Sequence, residues 1–405
     1  MIHSDAGRCL LCKVPKCSAA CAVRTDVPAA MKLYREGRLE EAGRLLFSNN
    51  PFSAVTGRVC DWSKSCYGHC VLNARKVPVK WHEIESEISG EYLFHASVTP
   101  GASNGKRVAV VGAGPAGITA AFILREKGFD VTLYDENRLP GGVLRYGIPE
   151  FRLSHRYIEQ YDRIIAGAGI VFRGGVRIGR DITVAHLRAE NDAVFVAAGA
   201  SIPRRLDIPG EESPNIIYAL DYLKDPDSYE LGRRVIVVGG GNVTMDASRT
   251  ALRKGHDVTV YYRKTFENMP ANSLEVEDAK AEGVKFCVFE VPVAVRGNVA
   301  VMRKCENRVN PDGRVSTKMI DGSDHEVEFD SMLVAISASV DYSIFGEDEK
   351  SLEMNGGWPV TDEFQQTSLP GVFMGGDFIL GPATVVEAVA SAKKATEGIC
   401  RYLSC

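Results

Sequence analysis

Apolar and polar positions alternate differently along three zones of the chain. After Asp26, the run DVPAAMKLYREGRLEEAGRLLFSNNP predicts two short helices, separated near Gly37 and stopped by Asn49-Asn50-Pro51. Leu39, Ala42, Leu45 and Leu46 form the expected inward stripe of the second helix. Thr99 to Gly105, TPGASNG, reads as a linker. From Lys106 onward, continuous apolar runs alternate with helical patterning, the signature of parallel strands covered on both faces. Arg107 to Glu136 is a complete strand–turn–helix–strand unit, and Arg233 to Lys264 repeats its design. The expected fold is therefore α/β, with two Rossmann-like nucleotide-binding domains behind a mainly helical amino-terminal region.

Length and composition agree with this division. A chain of 405 residues suits two or three domains, and 45% hydrophobic with 25% charged residues is ordinary for globular proteins. A formal charge of −4 gives no general drive toward nucleic acid or an anionic membrane, and neither is expected as a partner. The most apolar stretch, Val108 to Leu124, contains GAGPAG, which fits a strand entering a helix better than a membrane span. The opening MIHSDAGRCLLCK lacks the apolar core of a secretory signal, so a cytoplasmic location is expected. Seven of the eleven cysteines lie within the first 70 residues, and in a reducing compartment such crowding points to metal rather than disulfides.

The first glycine turn is Gly112-x-Gly114-Pro115-Ala116-Gly117. Glycines at this spacing allow a tight turn, close backbone approach to a pyrophosphate and close helix–strand packing, with a helix amino terminus facing the phosphates. Asp135 and Glu136 end the following strand, where a carboxylate can accept from ribose hydroxyls. Further on, LPGGVLRYGIPEFRL supplies Gly141, Gly142, Leu144, Gly147 and Ile148 to the same site. Near the carboxyl end, Gly376-Asp377 closes a strand. Asp377 is placed to bind a flavin's ribityl chain, and a helix start at Thr384 and Val385 to face the isoalloxazine carbonyls. Together these residues predict FAD. The second turn, Gly239-Gly240-Gly241-Asn242-Val243-Thr244, is followed by a strand ending at Arg263 and Lys264. An acid there suits an unphosphorylated ribose, whereas basic residues suit a 2′-phosphate, so NADP(H) is expected.

Cys9-x2-Cys12-x4-Cys17-x3-Cys21 and Cys60-x5-Cys66-x3-Cys70 concentrate soft thiolates at short spacings, as iron–sulfur clusters require. Structural zinc is the competing reading, but it favours paired Cys-x2-Cys knuckles and only one such pair is present. Seven thiols are one short of two four-ligand clusters. Glu85, His69 and His82 all lie near enough in sequence to supply the eighth donor.

In their order along the chain, RCLLC (Arg8 to Cys12), GRVC (Gly57 to Cys60), GAGPAG, GGVLRYGIPEFRL, GGGNVTMD and GGDF (Gly375 to Phe378) resemble one family over the whole length. That family comprises the small subunit of glutamate synthase, the amino-terminal part of dihydropyrimidine dehydrogenase, and the large subunit of NADH-dependent ferredoxin–NADP oxidoreductase. The resemblance implies two 4Fe–4S clusters with interleaved ligands: Cys9, Cys12, Cys17 and Cys70 for one, and Cys21, Cys60, Cys66 and Glu85 for the other. It departs at Ala22 and Asp61, where relatives usually have proline, and at Ser337 in VAISAS, where the strand usually runs into glycine.

The domains expected on this basis are residues 1–103 for the clusters, 104–200 and 330–405 for FAD, and 201–329 for NADP(H). Hydride is expected to pass between NADPH and FAD, in either direction, and single electrons between FAD and the clusters. No acid–base residue is called catalytic. No acceptor domain is expected after the Asp377 strand end. One or more redox partner subunits are therefore expected to dock near the cysteine-rich head, in a glutamate synthase-type, pyrimidine-reducing or electron-bifurcating complex. A cluster-bearing scaffold or redox sensor without hydride transfer is the alternative. No Cys-x2-Cys lies between the nucleotide sites, which argues against a thioredoxin-reductase-like enzyme; Cys287 and Cys305 are isolated.

Overall fold

The computed structural model describes residues 4–310 and 315–404; residues 1–3 and Cys405, the outermost residues of the expected end domains, lie outside it. The chain forms two compact units. One comprises residues up to 145, 150–200 and 340 onward; the other comprises 146–149 and 201–339.

The first unit opens with a helical head. Asp26 caps the helix Val27–Arg35 by accepting from Ala29 N at 3.1 Å, and Val27, Ala30, Met31 and Tyr34 form its buried face. The helix Leu39–Asn49 follows, as the sequence predicts, but its inward stripe is Ala42, Gly43, Leu46 and Phe47. Leu39 is exposed, because the first residue of the helix precedes the point where Trp81–Tyr92 crosses it. Gly43 lets that crossing close: a Cβ there would lie 2.5 Å from the Tyr92 side chain. A third helix, Ser53–Val59, was hidden in sequence by the Asn-Asn-Pro stop.

The head packs onto a parallel five-stranded sheet ordered Val372–Met374, Ala193–Val196, Arg107–Val111, Asp130–Asp135, Val171–Gly174. Phe52 stacks on Tyr161 at 4.3 Å, and the Tyr161 hydroxyl donates to Pro51 O at 2.8 Å. Lys393 donates to Asn49 Oδ1 at 2.7 Å, tying the carboxyl-terminal helix Val385–Tyr402 to the head. Head and sheet thus form one unit.

The second unit has its own parallel sheet, ordered Ile216–Tyr218, Ser331–Ala335, Arg234–Gly239, Asp257–Tyr262, Lys285–Val288. An antiparallel sheet of Glu290–Arg296, Val299–Val309, Val315–Met319 and His325–Glu328 is inserted before the strand Ser331–Ala335. That strand corrects the boundary expected at 330. It pairs with Arg234–Gly239, so the chain returns to the first unit only at Val340. Ser337, at the expected glycine position, has φ +108, a conformation that L side chains rarely adopt.

No helix among the described residues is long and apolar enough to cross a membrane. The apolar run from Val108 is the strand Arg107–Val111 turning into the helix Pro115–Glu126.

Candidate functional site

At the first glycine turn, Gly112 has φ +100 and sits where a Cβ would meet Ala197 O at 2.2 Å. At Gly117 a Cβ would lie 1.8 Å from Gly112 O, so helix and strand touch backbone to backbone. Gly114 differs. Only Gly142 Cα, at 3.9 Å, lies within reach of a Cβ there, and the helix Pro115–Glu126 has no side-chain cap. Its first amides face an open cradle, which suits a pyrophosphate.

Two distant stretches close on this turn. Gly141 N donates to Ala113 O at 2.8 Å, and a Cβ on Gly142 would meet Gly114 Cα at 2.8 Å. A Cβ on Gly376 would meet the Ala116 Cβ at 2.8 Å, so the Asp377 strand end lies over the first helical turn. Leu144 is fully buried and serves the core, while Gly147 and Ile148 group with the second unit.

The two acids after the second strand separate. Asp135 Oδ2 accepts from Ala113 N at 2.7 Å, and Oδ1 accepts from the backbone N and Nδ2 of Asn137 at 2.8 and 2.9 Å. Its carboxylate braces the glycine turn, and burial pushes its pKa up against those hydrogen bonds. Glu136 is exposed, and among the described residues its one ion pair is a 3.5 Å contact with Arg177. Sequence reasoning missed Asn137, whose clamp depends on the Asp135 rotamer.

Thr384 and Glu387 form a reciprocal cap on the carboxyl-terminal helix: Thr384 N donates to Glu387 Oε2 at 2.9 Å, and Glu387 N donates to Thr384 Oγ1 at 3.4 Å. The Thr-x-x-Glu spacing carried this signal in sequence. Val385, half-buried, opens the helix itself.

Burial pushes Asp377 up to about 7, aided by Glu387 and opposed by the Ala383 backbone N–H. The sign follows from linkage. The folded carboxyl keeps its proton up to about pH 7, whereas the unfolded one loses it near 3.8, so its stabilisation is full below 3.8 and is lost as pH rises through about 7. Asp377 is only half-buried, so we expect flavin-free protein to lose ~1–3 kcal/mol between about pH 4 and about pH 8. Urea midpoints across that range measure the loss, and D377N should flatten it.

The second turn uses Gly239 at φ +149, where a Cβ would meet Ala335 O at 2.3 Å. At Gly240 a Cβ would meet the Tyr262 ring at 2.5 Å. Thr244 replaces a third glycine with a brace: its Oγ1 accepts from Gly241 N at 3.2 Å and donates to Ala335 O at 3.3 Å. Asn242 Oδ1 accepts from Asn272 N at 2.8 Å, and Val243 packs partly against the unit's core. Gly241 has nothing within 4 Å of a Cβ and an ordinary φ of −93. Gly241→Ala should therefore leave the melting temperature unchanged. It should nevertheless weaken NADPH binding about tenfold or more, because the added methyl occupies the phosphate approach. Parallel thermal and binding titrations check both halves.

Past the next strand, Arg263 is exposed and has no ion-pair partner among the described residues. Lys264 donates to Val315 O at 2.7 Å, which commits part of its ammonium to the inserted sheet. Of the two, Arg263 is the freer cation for a 2′-phosphate.

In the head, the thiols sort by neighbour. Cys9 feels Cys12 and Cys70, and Cys17 feels Cys9 and Cys70; burial raises the pKa of both. These four line one pocket with Cys66, Val27, Leu72, Val79 and Trp81. Cys60 and Cys66 instead feel Cys21 and Glu85; burial pushes Cys66 up to about 12 and Cys60 well up. Glu85 is buried, makes no hydrogen bond among the described residues, and is pushed up to about 8 by burial alone. A buried carboxyl beside three thiols fits a fourth metal donor. Of the two histidines, His69 Nδ1 lies 2.8 Å from Ser65 O, and the His82 ring stacks on Trp62 at 3.8 Å. Among the described residues, no three His, Cys, Asp or Glu side chains close around a single-ion site. A thiol-rich, partly apolar setting suits iron–sulfur chemistry.

Two glycine turns on parallel sheets and a thiol-rich head define an NAD(P)H-dependent flavin and iron–sulfur oxidoreductase, and comparison with known proteins gives the same class. Residues 106–392 match the pyridine nucleotide-disulphide oxidoreductase family, and residues 1–93 match dihydropyrimidine dehydrogenase domain II, 4Fe-4S cluster. The glutamate synthase [NADPH] small chain of Azospirillum brasilense is 34% identical over 99% of this chain and 89% of its own. The NADP(+)-dependent formate dehydrogenase subunit beta of Moorella thermoacetica is 32% identical over 96% of this chain and 60% of its own. Among solved structures, FprA of Mycobacterium tuberculosis in complex with NADPH shares the fold at TM-score 0.65, with 19% identity over 74% of this chain and 84% of that one. The chain belongs to the pyridine nucleotide-disulphide oxidoreductase family, in the group of the glutamate synthase small chains.

Proposed function

We propose that this chain passes electrons between NADPH, FAD and two 4Fe–4S clusters and exchanges them with a partner subunit. The observation that supports the reading is the gathering of seven thiols and the buried Glu85 within the unit that holds the first glycine turn, with Cys9 and Cys17 near Cys70, and Cys60 and Cys66 near Cys21 and Glu85. Relatives named as small chains or as a subunit beta support a partner.

The Gly114 cradle, with the amides of the helix Pro115–Glu126, would hold the FAD pyrophosphate. Glu136 would accept from the ribose and Asp377 from the ribityl chain. The Val385–Tyr402 helix start would face the isoalloxazine carbonyls. When bound there, FAD supplies the exchange between hydride pairs and single electrons. The charge of Glu387 acts on both Asp377 and Cys60, which supports a Cys21, Cys60, Cys66 and Glu85 set on the flavin side of the head. The Cys9, Cys12, Cys17 and Cys70 set, which shares a pocket with Cys66, would stand next toward the surface.

Under anaerobic conditions, NADPH should bleach the flavin within seconds, and iron analysis should give about eight atoms per chain. Zinc, or no metal, in reconstituted protein would end the proposal. Arg263 should set the cofactor preference: R263A is expected to lower kcat/KM for NADPH roughly 10–100-fold while leaving NADH unchanged, because it removes a charged hydrogen bond to the 2′-phosphate.

A further inference from the structure

Residues 8–24 and 64–80, which carry six of the seven head cysteines, hold eight Lys or Arg and no Asp or Glu, in a chain whose net charge is −4. The fold gathers part of both spans into one face. Arg8 donates to Val77 O and to Pro78 O, laying the loop that contains Cys9 and Cys12 beside the segment that follows Cys70.

On this face Arg8 is paired with Asp5, Lys64 with Asp61 and Lys80 with Glu83. Lys13, Lys16, Arg75 and Lys76 are exposed, and none makes an ion pair among the described residues. Interleaved with them are apolar side chains that a solitary surface has no reason to expose: Val14 at 82%, Leu10 at 62%, Val77 at 48% and Val71 at 37%. Leu10, Lys16 and Val71 also line the pocket of Cys9, Cys12, Cys17 and Cys70, so the face surrounds the mouth of the outer thiol set.

We infer that this face docks a redox protein or subunit whose contact surface is an apolar patch rimmed by carboxylates, set over its own one-electron centre. Unpaired cations around apolar side chains steer and orient an acidic partner, and the apolar centre supplies water-excluded contact. A neutral or basic partner would leave four cations facing nothing or facing repulsion. The inference rests on the cluster reading only for its purpose, since the surface exists whether or not electrons cross it.

The test uses the anaerobically purified holoprotein and a small acidic ferredoxin as probe, with binding followed by calorimetry from low to high ionic strength. Wild-type protein should bind, with affinity falling steeply as salt rises. The charge reversals K13E/K16E and R75E/K76E should each weaken low-salt binding about tenfold or more. K285E/R296E, a reversal on the second unit, should change it less than about twofold. Absence of binding at low salt, salt-independent binding, or equal losses from all three double variants would overturn the inference. Circular dichroism and iron content verify that each variant keeps its fold and clusters. Bleaching by NADPH, measured on the same samples, judges the electron-transfer reading separately, because the binding assay needs no turnover.

Discussion

Cys60→Ser should strip the protein of about half its iron and acid-labile sulfide while leaving NADPH able to bleach the flavin. Cys60 is half-buried, like the other thiols of the head, and sits with Cys21, Cys66 and Glu85. A neutral serine hydroxyl is a hard, weak donor to iron, so the set would fall to two thiols and a carboxyl whose burial already favours its protonated form. If this set stands on the flavin side, as proposed, electron delivery to a one-electron dye that accepts beyond it should fall about 100-fold or more, with flavin reduction kept. Iron and sulfide assays, with low-temperature EPR of dithionite-reduced protein, read the result. Cys287→Ser is the matched control: Cys287 lies on the strand Lys285–Val288 of the other unit, beside Tyr261. Full iron content in Cys60→Ser would remove Cys60 from the ligands.

Gly117→Val should give flavin-free, poorly folded protein. The new Cβ would lie 1.8 Å from Gly112 O and 3.3 Å from Val110 Cγ1. Neither neighbour can retreat. Gly112 N donates to Tyr134 O at 2.8 Å, and the opposite side of Gly112 is closed by Ala197 O. The helix Pro115–Glu126 would have to lift from its strand, carrying with it the face on which the carboxyl-terminal helix packs. Overpacking on this scale costs ~3–5 kcal/mol or more. The flavin-to-protein absorbance ratio after gel filtration and a urea titration measure both losses. Gly114→Ala is the informative companion, because its methyl meets only Gly142 at 3.9 Å. It should fold normally and still hold FAD poorly, which separates a glycine needed by the ligand from one needed by the fold.

Much of the architecture was legible because it is local. Gly112, Gly117 and Gly239 are demanded by contacts within a single strand–turn–helix unit, and the alternation of apolar runs follows from strands buried on both faces. The Thr384-x-x-Glu387 cap is equally local. Less legible were choices between near-equivalent neighbours. Asp135 and Glu136 have similar chemistry and adjacent positions, yet strand alternation turns one toward the glycine turn and leaves the other at the surface. Arg263 and Lys264 divide the same way, one exposed and one drawn to Val315 by an insertion that no motif announces.

The sequence by itself determined two nucleotide turns, their order and a thiol-rich head, because steric need and metal softness are written in residue type and short spacing. Cys70 beside Cys9 and Glu85 beside Cys60, which the family resemblance implied, are brought together by the tertiary structure. It also moved the strand Ser331–Ala335 into the second sheet and turned Leu39 outward. Each of these depends on which distant segments meet, and that is settled by packing of the whole core, to which any one stretch contributes only its share.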